Sequence, residues 1–185
     1  MNKLFYSFFI FFIFTNLSLG SPKQKVIENF EKISNFSFKF KQTVNDKEEN
    51  GNCIIKYPKK IYCTYDDMFN KILVSNGKSL VIKTDKNNQY YRYSLKDTPL
   101  NFILDKSFLI KKIKELDVNL IDDKYLNFSI INENNFINIY FDKNNYNLIG
   151  WQTEDVYQNL AVTFIYNLQI NEKIEEKFFK LPKID

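Results

Sequence analysis

Residues 35–43 read NFSFKFKQT. Phe36, Phe38 and Phe40 alternate with Ser37, Lys39 and Lys41. A side-chain period of two belongs to a β-strand with one apolar and one wet face. Alternation or short apolar runs recur at 53–57, 61–65, 71–75, 79–84, 89–94, 118–121, 125–131, 136–141, 147–154 and 160–168, with a last segment around 178–181. Turn residues separate them. Asn76-Gly77 is a strong hairpin signal, Pro58 marks a second turn and Asp85-Lys86-Asn87-Asn88 a third. The pattern predicts one antiparallel sheet of many short strands. No strand–helix–strand alternation is present, which argues against a parallel sheet.

Helical spacing is found in three places. Ser21-Pro22 is a capped helix start, and Val26, Ile27, Phe30 and Ile33 follow on one stripe, predicting a helix over 22–34. Thr98-Pro99 opens a short helix over PLNFILD, and Ser107 opens another over FLIKKIKE. The last two carry Leu100, Phe102, Ile103, Leu104, Phe108, Leu109, Ile110 and Ile113. An antiparallel sheet with one apolar face must cover it. The expected fold is therefore α+β and mainly β: a curved sheet closed over by short helices. Its interior is either an ordinary core or a cavity for an apolar ligand, and composition leaves both open.

The first twenty residues, MNKLFYSFFIFFIFTNLSLG, place a lysine ahead of an apolar run and end on small residues, Ser18 and Gly20. This is the pattern of a secretory signal peptide over residues 1–20, cleaved near Gly20-Ser21. The apolar run from Leu4 to Phe14 is too short to span a bilayer. Ser21 stands where a lipoprotein would need its lipid-bearing cysteine. The expectation is an exported chain, residues 21–185, forming a single domain.

The formal net charge of +4 is spread along the chain, and no nucleic-acid footprint is apparent. There is no histidine, which removes histidine-assisted nucleophiles and most zinc sites. Asp66-Asp67, Asp122-Asp123 and Glu175-Glu176 are adjacent pairs. Strand neighbours face opposite ways, so these read as solvated turn residues rather than as a catalytic dyad. No cofactor, metal or catalytic residue is expected. Cys53 and Cys63 are the two cysteines. Export favours a disulfide between them; two buried free thiols are the alternative.

Several motifs then fall in one order. Phe36, Phe40 and Gln42 end an aromatic strand. Gly51, Lys56 and Pro58 lead a strand into a turn, and ILVSNGK spans 72–78. Trp151 and Asp155 form Trp-x-x-x-Asp, and Phe179 and Pro182 form Phe-x-x-Pro. The set resembles the carriers of outer-membrane lipoproteins in the Lol pathway, the LolA family, across the region after the leader. The resemblance implies a half-open antiparallel β-barrel of about eleven strands closed by short helices. It implies a monomeric periplasmic chaperone, not an enzyme. Such a chaperone takes triacylated lipoproteins from an inner-membrane ABC exporter and carries them to the outer membrane, to a receptor if one is present. The alternatives are an outer-membrane receptor, a bifunctional carrier and receptor, a carboxylate hydrolase, or an envelope domain with a filled core.

The resemblance also implies a site. Its acyl-chain cavity is expected to include Phe30, Phe40, Ile55, Tyr57, Ile61 and Trp151. Ile72, Val74, Leu80 and Ile82 are added from the strands, and Ile103 and Leu104 from the lid. Members often place an arginine immediately before the hairpin proline, where it latches the lid to close the empty form. Here that residue is Tyr57, with one donor instead of five. The latch is thus assigned to Tyr57 and Lys56. The family's glycine-containing turn after Trp-x-x-x-Asp is replaced by Tyr157-Gln158-Asn159. In a hairpin closing over 57–59, Ile55 opposes Ile61 and Cys53 opposes Cys63, on the face expected to line the cavity.

Overall fold

A computed structural model of the chain describes residues 20–132, 135–154 and 159–183. The expected leader up to residue 19, and Asp155, Tyr157 and Gln158, lie outside them. Helix α1 spans Pro22–Glu31; the Ser21 hydroxyl accepts from the Gln24 N–H at 3.2 Å. The helix ends three residues short of 34, and Ile33 is buried beyond its C-cap, Lys32. Six strands follow: β1 Asn35–Val44, β2 Lys47–Lys56, β3 Lys60–Tyr65, β4 Ile72–Asn76, β5 Ser79–Thr84 and β6 Gln89–Ser94. Then come helices α2 Leu100–Ile103 and α3 Lys106–Glu115. Five strands complete the order: β7 Asn119–Ile121, β8 Tyr125–Asn132, β9 Asn135–Asp142, β10 Leu148–Glu154 and β11 Leu160–Ile170.

The strands form one eleven-stranded antiparallel sheet, ordered β6-β5-β4-β3-β2-β1-β11-β10-β9-β8-β7. Neighbours in space are neighbours in sequence except at β1 and β11, which join the two halves. The edge strands β6 and β7 do not pair with each other, so the curved sheet stays open. This is the mainly β, half-open arrangement with a helical cover that the sequence predicts.

Beyond the end of α1, other elements also differ from the sequence reading. β2 starts at Lys47 rather than 53, and it pairs with β1 out to Val44↔Lys47 through a tight turn in which Asn45 and Asp46 have φ of 47° and 61°. Asp105, not Ser107, caps α3, its carboxylate accepting from the Phe108 N–H at 3.0 Å. The segment around 178–181 is no strand; a 3-10 turn, Glu176–Phe179, lies there instead.

Strand alternation sets two faces. On the inner face β1 presents Phe36, Phe38 and Phe40, β8 presents Leu126, Phe128 and Ile130, and β9 presents Ile137, Ile139 and Phe141, all buried. The helices pack on this face at one end. Phe30 of α1 meets Phe141 and Tyr57 edge-on, with ring centroids 5.8 Å apart in each case. Ile103, Leu104, Leu109 and Ile113 join the same cluster. Lysines tie α1 and α3 together at both ends. Lys106 Nζ donates to the carbonyls of Glu31 and Ile33 at 3.0 and 2.8 Å, and Lys23 Nζ donates to that of Leu116 at 2.9 Å. Each lysine takes backbone carbonyls at or just beyond the other helix's C-terminus, where helix ends lack partners.

Candidate functional site

Among the described residues, no helix fills the far end of the inner face. A groove of about 430 Å³ opens there. Phe40, Ile61, Leu73, Leu80, Ile82 and Trp151 line it from the strands, together with the two cysteines. Thr98, Pro99 and Leu100, where α2 begins, form one side of it. Its mouth is polar, with Asn45, Lys47, Glu49, Lys71 and Glu154. An apolar floor under a charged rim suits a ligand with an apolar body and a polar end.

Local backbone chemistry shapes this floor. Cys53 and Cys63 sit opposite each other in the β2–β3 register and are disulfide-bonded, with Cα atoms 4.1 Å apart. Gly51 faces Phe40 across the β1–β2 pair. A Cβ at Gly51 would fall 2.1 Å from the Thr64 carbonyl oxygen and 2.8 Å from the Phe40 ring, so only glycine lets that ring lie flat on the strand. Phe40 in turn meets Tyr65 edge-on at 5.2 Å. Lys71 Nζ lies 4.0 Å from the Tyr65 ring centroid and donates to both Glu49 carboxylate oxygens, at 2.6 and 2.7 Å. Burial pushes the Tyr65 hydroxyl pKa up, and the Glu49 and Asp67 carboxylates add to this.

The sequence-predicted lining divides into three sets. Phe40, Ile61, Leu80, Ile82 and Trp151 line the groove. Phe30, Ile55, Ile103, Leu104 and Tyr57 lie under the helices at the packed end, buried or packed against the buried cluster. Ile72 and Val74 do not share the inner face. Leu73 pairs with Cys63 and Ile82, so its neighbours along β4 point outward. Val74 and Val81 are nonetheless buried, at 1% and 0% exposure, because β3 and β4 carry the C-terminal 3-10 turn on their outer side. There Phe178 meets Tyr62 at 5.4 Å, and the Tyr90 hydroxyl donates to the Pro182 carbonyl. The six residues between β3 and β4 carry no signal of register, so sequence reasoning misses Leu73 and takes its neighbours instead.

The latch also differs from the sequence reading. Lys56 faces outward and, with Lys60, grips Glu176. Those two hydrogen bonds hold the Glu176 carboxyl at about 2, below its ordinary 4.5. The Tyr57 hydroxyl is buried and bonds to nothing among the described residues. Burial, then the nearby Asp105 carboxylate, raises its pKa far above the usual phenol value. Among the described residues the hairpin tip bonds to the lid through Lys59. Its backbone N–H donates to the Leu104 carbonyl at 2.9 Å, and its Nζ pairs with Asp105 at 3.3 Å. Lys106 Nζ, while bonded to α1, lies over the Tyr57 ring at 5.7 Å. A backbone donor has no signature in sequence; the one available hint was the position of Lys59 at the tip of the hairpin.

Comparison with solved structures finds matches at very low identity. An uncharacterized conserved protein from Thermus thermophilus aligns with a TM-score of 0.52 and 10% identity, over 88% of this chain and 96% of that one. A LolA superfamily protein from Nitrosomonas europaea aligns at 0.43 and 11%, over 88% and 99%. A putative outer membrane lipoprotein-sorting protein domain from Vibrio parahaemolyticus aligns at 0.47 and 8%, over 84% and 94%. No curated protein matches the chain. The sequence profile described as outer membrane lipoprotein carrier protein LolA matches residues 31–182, which span the sheet, the lid and the C-terminal turn. The chain belongs to the LolA family.

Proposed function

We propose that this protein is a periplasmic carrier that shelters the acyl chains of triacylated lipoproteins in the groove. In this reading an inner-membrane ABC exporter loads it, and it delivers its cargo at the outer membrane. The observation that carries the reading is the apolar floor at Phe40, Ile61, Leu73, Leu80, Ile82 and Trp151, left open on a sheet whose other end is filled. Each acyl CH₂ kept from water is worth about 0.8 kcal/mol, so a chain of roughly sixteen carbons would cost on the order of 10 kcal/mol to expose. A carrier must supply that shelter and still release. The lid suits this task because it meets the hairpin tip through one backbone hydrogen bond and one partly exposed ion pair at Lys59.

The test is binding of a triacylated lipopeptide to the purified chain 21–185, compared with the same peptide lacking acyl groups. Saturable binding that needs the acyl groups is expected. Equal affinity for the two peptides would overturn the reading. Cell fractionation separates a carrier, recovered in the soluble periplasm, from a receptor that stays with membranes.

A further inference from the structure

Two buried side-chain polar atoms lack a partner among the described residues: Asn35 Oδ1 and the Tyr57 hydroxyl. Asn35 lies on the outer face, and its amide nitrogen donates to Ser34. Tyr57 is different. It continues the inner-face row of β2, Gly51-Cys53-Ile55, from the groove towards the lid. Its ring is enclosed by Phe30 at 5.8 Å, Phe36 at 6.0 Å and the Lys106 ammonium. The neighbouring donors all have acceptors. Lys59 bonds to Leu104 and Asp105, and Lys106 to Glu31 and Ile33. The phenol alone makes no hydrogen bond, although the Lys106 ammonium and the Asp105 carboxylate lie nearby. A phenylalanine would fill the same volume without that penalty.

Taking the groove as the acyl site, an inference that rests on the proposed function, we propose that the Tyr57 hydroxyl is a cargo contact. When the lid leaves the hairpin tip, the hydroxyl donates a hydrogen bond to a carbonyl oxygen of the cargo. That carbonyl belongs to an ester or amide joining an acyl chain to the lipoprotein's N-terminal residue. Carbonyls are the polar atoms closest to the chains, so they follow them into an apolar site and need a donor there. The phenol stays protonated throughout the physiological range, because burial opposes its ionisation. The closed lid leaves the donor unpaired and the loaded form pairs it, so this one group favours loading.

The experiment is a two-by-two comparison. Wild type and Tyr57→Phe are each titrated with a triacylated lipopeptide and with an analogue whose acyl carbonyls are replaced by methylene groups. Any shift of the lid equilibrium changes both affinities of one protein by the same factor and cancels in their ratio. The wild type is expected to prefer the carbonyl ligand, and Tyr57→Phe to lose about fivefold of that preference, as for one neutral hydrogen bond. An unchanged ratio overturns the assignment of Tyr57. If the wild type binds neither ligand, the carrier reading itself has failed, and the two failures are thereby distinguished. Matching circular dichroism spectra and melting behaviour keep the comparison between folded proteins.

Discussion

The two ends of the inner face are built from the same strands. β1 offers Phe36 and Phe38 to the packed end and Phe40 to the groove; β2 offers Ile55 to one and Cys53 to the other. Alternation is continuous across both. What differs is the third dimension. At one end α1 and α3, tied together by Lys23 and Lys106, drive Phe30, Leu109 and Ile113 onto the sheet. At the other, among the described helices, only the start of α2 leans over it. Whether an apolar face becomes core or cavity depends on what reaches it, not on the face itself.

The sharpest way to break the comparison is at its filled end. Phe30→Ala removes a side chain 1% exposed and touching two other rings, and it is expected to cost about 3–5 kcal/mol in denaturant unfolding. A cost below about 1 kcal/mol would mean that the packed end is as yielding as the groove. Next comes the boundary between the ends. Replacing Cys53 and Cys63 together by serine opens a link between residues ten apart, and the expected loss is about 2–3 kcal/mol. Intact mass before and after reduction checks that the bond is present. At the open end, Ile82→Ala is expected to cost less than about 1 kcal/mol, since its methyl groups already border empty space. The same variant should weaken acyl-lipopeptide binding; a large stability loss with unchanged binding would place the cavity elsewhere.

The smallest effect lies outside the sheet. The folded pKa of Glu176 is depressed, so its contribution is present above the ordinary value of 4.5 and fades as the pH falls toward about 2. Glu176 is exposed and its pairs are screened by salt, so the loss should be slight. Hydrogen exchange at residues 176–179 should rise over that acid window in the wild type and be insensitive to it in Glu176→Gln.

Much of the fold was legible in the residues. The short turn after Ile55 fixed the register that sets Cys53 against Cys63, and Ser21-Pro22 marked the start of α1. The first half of β2 was not legible. Lys47 and Glu49 point inward but stand at the wet mouth of the groove, while Glu48 and Asn50 point to solvent. With both faces wet, no alternation survives. The site was read less well than the fold. Five of the expected residues border the groove, but Ile72 and Val74 stand on the outer face of β4, a strand that meets a C-terminal turn distant in sequence. The contact between Lys59 and the lid eluded sequence reading because its main bond comes from a main-chain N–H.

The unjoined edges of the sheet have a mechanical consequence. A closed barrel has its girth set by strand number and stagger, and it cannot widen without breaking a seam. This sheet is a split ring: β6 and β7 end it, and β7 is only three residues long. Small changes of twist between adjacent strands add up along eleven of them and part the free ends, while every ladder between neighbours stays intact. The cross-link at Cys53 and Cys63 stiffens one joint near the middle of the ring and leaves the rest to flex. Such a ring can spread around contents of unequal bulk, with its bore set by what it holds.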